Sequence, residues 1–241
     1  MIFLKYKYKN AVIIFFAVII CYLIAIINNL AYSEGLIWPI DCIPGRNCSG
    51  AIGYPDINKT GKAFDCSSPG YKGHEGTDIS ISKDQMQNGV NIFAAADGLV
   101  LWVFDGKYDK CPDISEPDCT NYRVCTDKGN YCDTGGCCCQ WCFDDGNFIV
   151  IKHNLVGIFA TSYNHLKKNS IIVKKGQKVK QGQIIAQVGS SGKSSGPHLH
   201  FEVWDKGYYK LADPWAGVCG PNYNKQLWKY SPPWQNLIIN K

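Results

Sequence analysis

Beyond residue 33 this chain of 241 residues has no apolar stretch that keeps a helical period for ten residues. That excludes an architecture built on long amphipathic helices. Histidine is scarce, with five in the whole chain, so any grouping of them is informative. Charge of one sign is scarce as well. The formal net charge of +5 falls to +2 once residues 1–33 are set aside, because they hold Lys5, Lys7 and Lys9 and no acid. No nucleic-acid footprint remains in so balanced a chain. Lys167, Lys168, Lys174, Lys175, Lys178 and Lys180 lie close together and are read as a solvated hairpin. Aliphatic side chains nearly vanish between residues 105 and 146, so that segment cannot bury a core of its own.

What is present begins with an export segment. Three lysines precede an apolar run from Ala11 to Ile27, followed by Ala31-Tyr32-Ser33. A basic start, an apolar stretch and small residues at alternate positions are the pattern of a signal peptide cleaved after Ser33. The alternative is an uncleaved anchor, with residues 11–27 as a membrane tether. A lipoprotein is excluded by Ile20, which is not the small residue required before Cys21. Either way the positive flank keeps the N-terminus inside and sends the remainder to a periplasmic or extracellular space. Of the thirteen cysteines, Cys21 falls in this segment and an even twelve are exported. An even count in an oxidising compartment predicts a disulfide framework, whose connectivity the sequence does not specify.

The exported part divides by composition. Residues 34–60 form a loop-rich lead-in that holds Cys42 and Cys48. Residues 61–205 carry short runs of β type at 78–82, 91–95, 98–104, 147–153, 157–164, 183–188 and 200–204, separated by Gly, Asn, Asp and Lys-Gly turns. They predict a mostly β, antiparallel domain. Residues 105–146 interrupt the series with eight cysteines and are read as a disulfide-rich insertion rather than a zinc knuckle on Cys139-x-x-Cys142. Residues 206–241, with Trp215, Trp228, Trp234 and Pro232-Pro233, are read as an aromatic, proline-rich arm that wraps the domain.

Two of the five histidines stand one residue apart in Pro197-His198-Leu199-His200. On a strand, side chains alternate faces, so both imidazoles project from one face and offer half of a zinc site. The other half is sought in Gly73-His74-Glu75-Gly76-Thr77-Asp78, where His74 and Asp78 are four apart and share a face. His74, Asp78 and one histidine of the pair make three ligands. Three protein ligands and an open position form the hydrolytic arrangement, in which zinc activates water and polarises a carbonyl. The spare histidine of the pair, or His165 in Tyr163-Asn164-His165-Leu166, could then handle a proton or an oxyanion. His153 follows an apolar strand and is read as a hydrogen-bonded structural histidine. Glu75 is read as exposed, since no His-Glu-x-x-His helix accompanies it. The cysteines, even in number, are read as paired rather than nucleophilic. Gly176–Val188 is similar to a lipoyl or biotinyl hairpin, but it has no acceptor-lysine turn.

Taken in order, Gly73-His74-x-Gly76-x-Asp78-Ile79, Tyr163-Asn164-His165-Leu166, Gly176-Gln177-Lys178-Val179-x-x-Gly182-Gln183-x-Ile185 and Gly189-Ser190-x-Gly192-x-Ser194-x-Gly196-Pro197-His198-Leu199-His200-Phe201-Glu202 resemble the lysostaphin-type zinc endopeptidases, which cut peptidoglycan cross-links. The resemblance spans about residues 61–205 and departs from the family pattern at the 105–146 insertion. It implies one zinc ion on His74, Asp78 and His200, with His165 and His198 as catalytic imidazoles. It also implies an antiparallel β fold with the site in a groove. Relatives that only activate amidases typically lose ligands, whereas all five positions are kept here. The expectation is an exported zinc metalloendopeptidase that hydrolyses peptide bonds of peptidoglycan stem peptides or cross-links. The alternative is an exported cell-wall-binding or amidase-activating module that retains zinc. An exported effector aimed at competing bacteria has no delivery signal to support it.

Overall fold

The computed structural model describes residues 35–105, 145–192, 194–207, 210–222 and 225–230. The segment at 1–33 expected to direct export, the eight cysteines from Cys111 to Cys142 and the tail beyond residue 230 lie outside the described residues. All elements named below belong to the unit Leu36–Lys241. Among the described residues, no helix is long and apolar enough to cross a membrane.

The expectation of a mostly antiparallel β domain is met. Among the described residues, nine strands follow in chain order: β1 (Ile52–Gly53), β2 (Thr77–Ser80), β3 (Asn91–Phe93), β4 (Gly98–Phe104), β5 (Phe148–Leu155), β6 (Ile158–Asn164), β7 (Lys178–Val179), β8 (Ile184–Gln187) and β9 (His198–Trp204). Seven of them form a sheet in the order β1-β2-β9-β6-β5-β4-β7, and β3 pairs with β8 apart from it. All these pairings are antiparallel. β9, which carries the His-x-His pair, therefore lies inside the sheet, flanked by β2 and β6.

Alternation along these strands separates the core face from the opposite face. Ile79 on β2, Leu199 and Phe201 on β9, Tyr163 on β6, and Ile149 and Ile151 on β5 are all fully buried in one hydrophobic cluster. Their neighbours at odd offsets, among them Asp78, His198, His200 and Glu202, point to the opposite face. The register makes this strict. Asp78 lies directly across from His200, and Ile79 across from Leu199. A slip by one residue would send the histidines into the core and the leucine to the opposite face.

Among the described residues, one helix departs from the expectation of strands and turns alone. α1 (Lys83–Asn88) has six residues and a single buried one, Met86, too short a signal for periodicity to reveal. Its origin is a capping box. The Ser82 side chain accepts from the Gln85 backbone, and the Gln85 side chain returns to the Ser82 backbone. This capture also explains why β2 ends at Ser80 rather than reaching Ser82.

The lead-in and the tail close one end of the core together. Leu36 N–H donates to Leu227 O (2.9 Å), and Lys229 N–H donates to Leu36 O (2.8 Å). Trp215 stacks on Phe64 and meets Tyr54 edge-on, and its indole N–H donates to Thr77 Oγ1 at 3.1 Å. Cys42 bonds to Cys48, and Cys66 to Cys219 across 153 residues of sequence. By closing a long loop, the second bond removes much of the freedom of the unfolded chain.

Asp213 in this tail gives a pH signature. It is buried and accepts a hydrogen bond from Trp215 N–H at 2.9 Å. Burial outweighs that bond and raises its pKa from an ordinary 3.8 to about 7. The folded chain then holds a proton that the unfolded chain releases between those values. Its stability is highest below the unfolded pKa and declines as pH rises through this window. Asp213→Asn keeps the acceptor oxygen and removes the charge. The variant is expected to be more stable than the wild type at pH 8, by on the order of 1–3 kcal/mol, and equal to it near pH 4. Denaturant melts at the two pH values check this; a difference independent of pH would contradict it.

Candidate metal centre

The face of the sheet opposite the hydrophobic cluster gathers four of the five histidines. His74 enters from the loop before β2. Its Nδ1–H donates to Tyr54 O (2.8 Å), which leaves Nε2 as the nitrogen with a free lone pair. Asp56 shapes that loop, since its carboxylate accepts from the Gly73, Gly61 and Thr60 amides and its own amide donates to His74 O. Gly76 is required by close approach, because a Cβ there would lie 2.8 Å from His200 Nε2 and 2.7 Å from Phe201 O.

Across the strand pair, His200 faces Asp78. His200 Nε2 meets Glu202 Oε1 at 3.1 Å, so Nδ1 is directed to the cluster. Three ligand atoms converge: His74 Nε2 and Asp78 Oδ1 are 3.2 Å apart, His74 Nε2 and His200 Nδ1 3.3 Å, and Asp78 Oδ1 and His200 Nδ1 2.7 Å. A tetrahedron with zinc-length bonds has edges of about 3.3–3.4 Å. Two separations match that edge, and the short third one is a hydrogen bond of the metal-free centre. His74, Asp78 and His200 also form the cluster able to hold a metal ion among the described residues. Of the three, Asp78 is the most open, with 21% of its side chain exposed against none for His74, so the centre is approached from the Asp78 side.

Hydrogen bonds hold a proton within the cluster. Burial disfavours a charged His200, yet its hydrogen bonds to Asp78 and Glu202 prevail and push its pKa up to about 10. Burial likewise disfavours the Asp78 carboxylate, but the hydrogen bond from His200 and the charge on that ring hold it well below the usual carboxylate range. A metal ion must therefore displace the proton between them.

His165 and His198 stand beside this triad. The ring of His165 is centred 4.6 Å from that of His198 and 5.9 Å from that of His200. His165 has a φ of 61°, in the left-handed region, and its backbone is held by Asp145 O and Gly189 N–H. Its Nδ1–H donates to Ser191 O at 2.7 Å. The Nδ1–H of His198 donates to Gly196 O at 2.7 Å, and its Nε2 lies 3.6 Å from Asp78 Oδ1. Burial, aided by His198 and His200, pushes the His165 pKa well down, and burial lowers that of His198 despite Asp78. Both rings are thus neutral and present Nε2 as a proton acceptor.

All five residues singled out in the sequence come together. His153 does not join them; it is spent on Asp97 O and Thr161 Oγ1, each at 2.8 Å. Glu75 is exposed. It lines a cavity of about 700 Å³ together with Trp204, Lys210 and Asp213. Sequence reasoning missed the supports: Asp56, Ser191, Gly196 and Glu202. Only Glu202 carried a signal, since it lies two residues from His200 on the same strand face.

Residues 139–213 match the model of peptidase family M23. That stretch includes His165, His198 and His200, and the fold supplies His74 and Asp78 from outside it. Among characterised relatives, Peptidoglycan DD-endopeptidase ShyB of Vibrio cholerae is 57% identical over 58 residues, 24% of this chain and 13% of the relative. ShyA of the same organism is 48% identical over 62 residues, 26% of this chain and 14% of the relative. Murein hydrolase activator NlpD of Salmonella typhimurium is 45% identical over 62 residues, 26% of this chain and 15% of the relative. The chain thus spans only a small part of the length of each. Among solved structures, a zinc-containing peptidase from Vibrio cholerae aligns with a TM-score of 0.42 at 26% identity, over 75% of this chain and 39% of that one. The catalytic domain of lysostaphin from Staphylococcus simulans aligns with a TM-score of 0.38 at 22% identity, over 68% of this chain and 88% of that one.

Proposed function

From the premise that the chain carries an M23 peptidase segment, we propose that it is an exported zinc endopeptidase that hydrolyses peptide bonds in peptidoglycan stem peptides or cross-links. The observation that carries this reading is the convergence of His74 Nε2, Asp78 Oδ1 and His200 Nδ1, with two neutral imidazoles alongside. His74, Asp78 and His200 would hold one zinc ion. Two imidazoles and one carboxylate suit zinc, and the ion would supply Lewis-acid chemistry to water and to the scissile carbonyl.

The chain's own residues do the rest. His165 and His198 each donate Nδ1–H to a backbone carbonyl, so each meets the attacking water as an acceptor at Nε2. Neither can donate to a developing oxyanion until it has taken up a proton. The imidazole that accepts the proton from water thereby becomes the donor that steadies the oxyanion or protonates the leaving amine. The fixed Nδ1 bonds keep both rings in the tautomer this role needs. Residues 1–33 would direct the domain out of the cytoplasm, with residues 11–27 as a tether if the segment is retained.

A second reading is favoured by the similarity to the murein hydrolase activators: a cell-wall module that works through a partner amidase. Retention of all three ligand positions and both imidazoles supports the enzyme instead. Clearing of peptidoglycan in a gel tests it. The reading expects clearing by purified protein, loss on chelation and recovery on adding zinc. Clearing that survives zinc removal would sink it.

A further inference from the structure

β9 presents His198, His200, Glu202 and Trp204 on one face, and the last three form a continuous chain of hydrogen bonds. Trp204 Nε1–H donates to Glu202 Oε2 at 3.1 Å, and Glu202 Oε1 accepts from His200 Nε2 at 3.1 Å. The Glu202 side chain is only 10% exposed, and its ion pair among the described residues is with His200 alone. No lysine or arginine of the described residues lies within ion-pairing distance of it. A carboxylate so placed costs stability unless the imidazole it faces carries charge or is polarised.

We propose that Glu202 is a positioning residue for the metal centre: it fixes His200 with its proton on Nε2 and Nδ1 aimed at the ion, and raises the donor strength of that nitrogen. The assignment rests on the reading of His74, Asp78 and His200 as zinc ligands. The geometry is that of a carboxylate–histidine–metal relay, and Trp204 is its outer member, which orients the carboxylate. The tautomer of the other nitrogen ligand, His74, is set by a backbone carbonyl, which carries no net charge. His200 alone receives a second carboxylate, so it should be the strongest nitrogen donor of the set.

The test measures zinc affinity by competition with a chromogenic chelator, together with the visible spectrum of the Co(II)-substituted protein and the melting temperature of the apo form. Glu202→Ala should raise the zinc Kd about 10- to 100-fold and alter the Co(II) bands. Glu202→Gln keeps an oxygen to accept from Nε2–H and loses the charge. It should fall between the wild type and the alanine variant in Kd, with a spectrum close to that of the wild type. If only the melting temperature falls, and both variants bind zinc within twofold of the wild type, Glu202 is structural and the proposal is overturned. If Glu202→Ala fails to fold, the Kd of Glu202→Gln decides. Failure of the wild type to bind zinc is a separate result, which overturns the reading of the centre itself.

Discussion

Zinc and activity are expected to disappear together when His200 is replaced by alanine. Of the three proposed ligands, His200 has the most side-chain partners, with Asp78 Oδ1 at 2.7 Å from Nδ1 and Glu202 Oε1 at 3.1 Å from Nε2. Its removal leaves His74 and Asp78, which cannot enclose an ion, and leaves the Glu202 carboxylate buried without its partner. The expected loss in zinc affinity exceeds about 100-fold. The expected loss in peptide hydrolysis is on the order of 10³-fold or more, since several kcal/mol of charge stabilisation go with the metal. Metal content of the purified variant and a muropeptide assay check both. A variant that keeps its zinc, or keeps its activity without it, would contradict the assignment.

His165→Ala and His198→Ala are expected to divide the two properties. Neither ring belongs to the cluster of converging ligand atoms, and the Nδ1 of each is committed to a carbonyl. Each variant should retain zinc within a few-fold of the wild type and lose about 10²- to 10⁴-fold in kcat, the usual range for a positioned acid or base. The double variant should lose little more than the more damaging single one, because one proton passes through the pair and the two act as a unit. Multiplicative losses would mean that the imidazoles act in separate steps. His153→Ala is the control. Its bonds to Asp97 O and Thr161 Oγ1 lie in the packed part of the sheet, so it should lower stability and leave zinc binding intact.

The centre was legible in the sequence to the extent that local spacing governs it. Period two along a strand put His198 and His200 on one face; His74 reaches Asp78 from the loop before β2, held there by Tyr54 O, and not by strand alternation. What joined the halves was not local. Asp78 and His200 are 122 residues apart in the chain and meet because β2 and β9 pair in a register that sets one opposite the other. The resemblance to a family supplied that juxtaposition, and the structure supplied its geometry. The supports were harder to see. Ser191 and Gly196 act through backbone carbonyls, which no residue type advertises, and Asp56 acts through backbone amides, that of Gly73 being 17 residues away. The bond between Cys66 and Cys219 was one of many pairings that an even cysteine count allows. α1 escaped because its stability comes from the Ser82–Gln85 capping box and not from an apolar face.

The central claim is that this metal centre cuts peptide bonds in peptidoglycan. Its most direct test is mass spectrometry of muropeptides after digestion by the protein alone, run on zinc-loaded, zinc-stripped and His200→Ala samples. The account predicts new free amines within the peptide portion for the zinc-loaded protein, and none for the other two. Cleavage of the lactoyl–peptide amide only when a partner amidase is added, with the peptides themselves left whole, would contradict it.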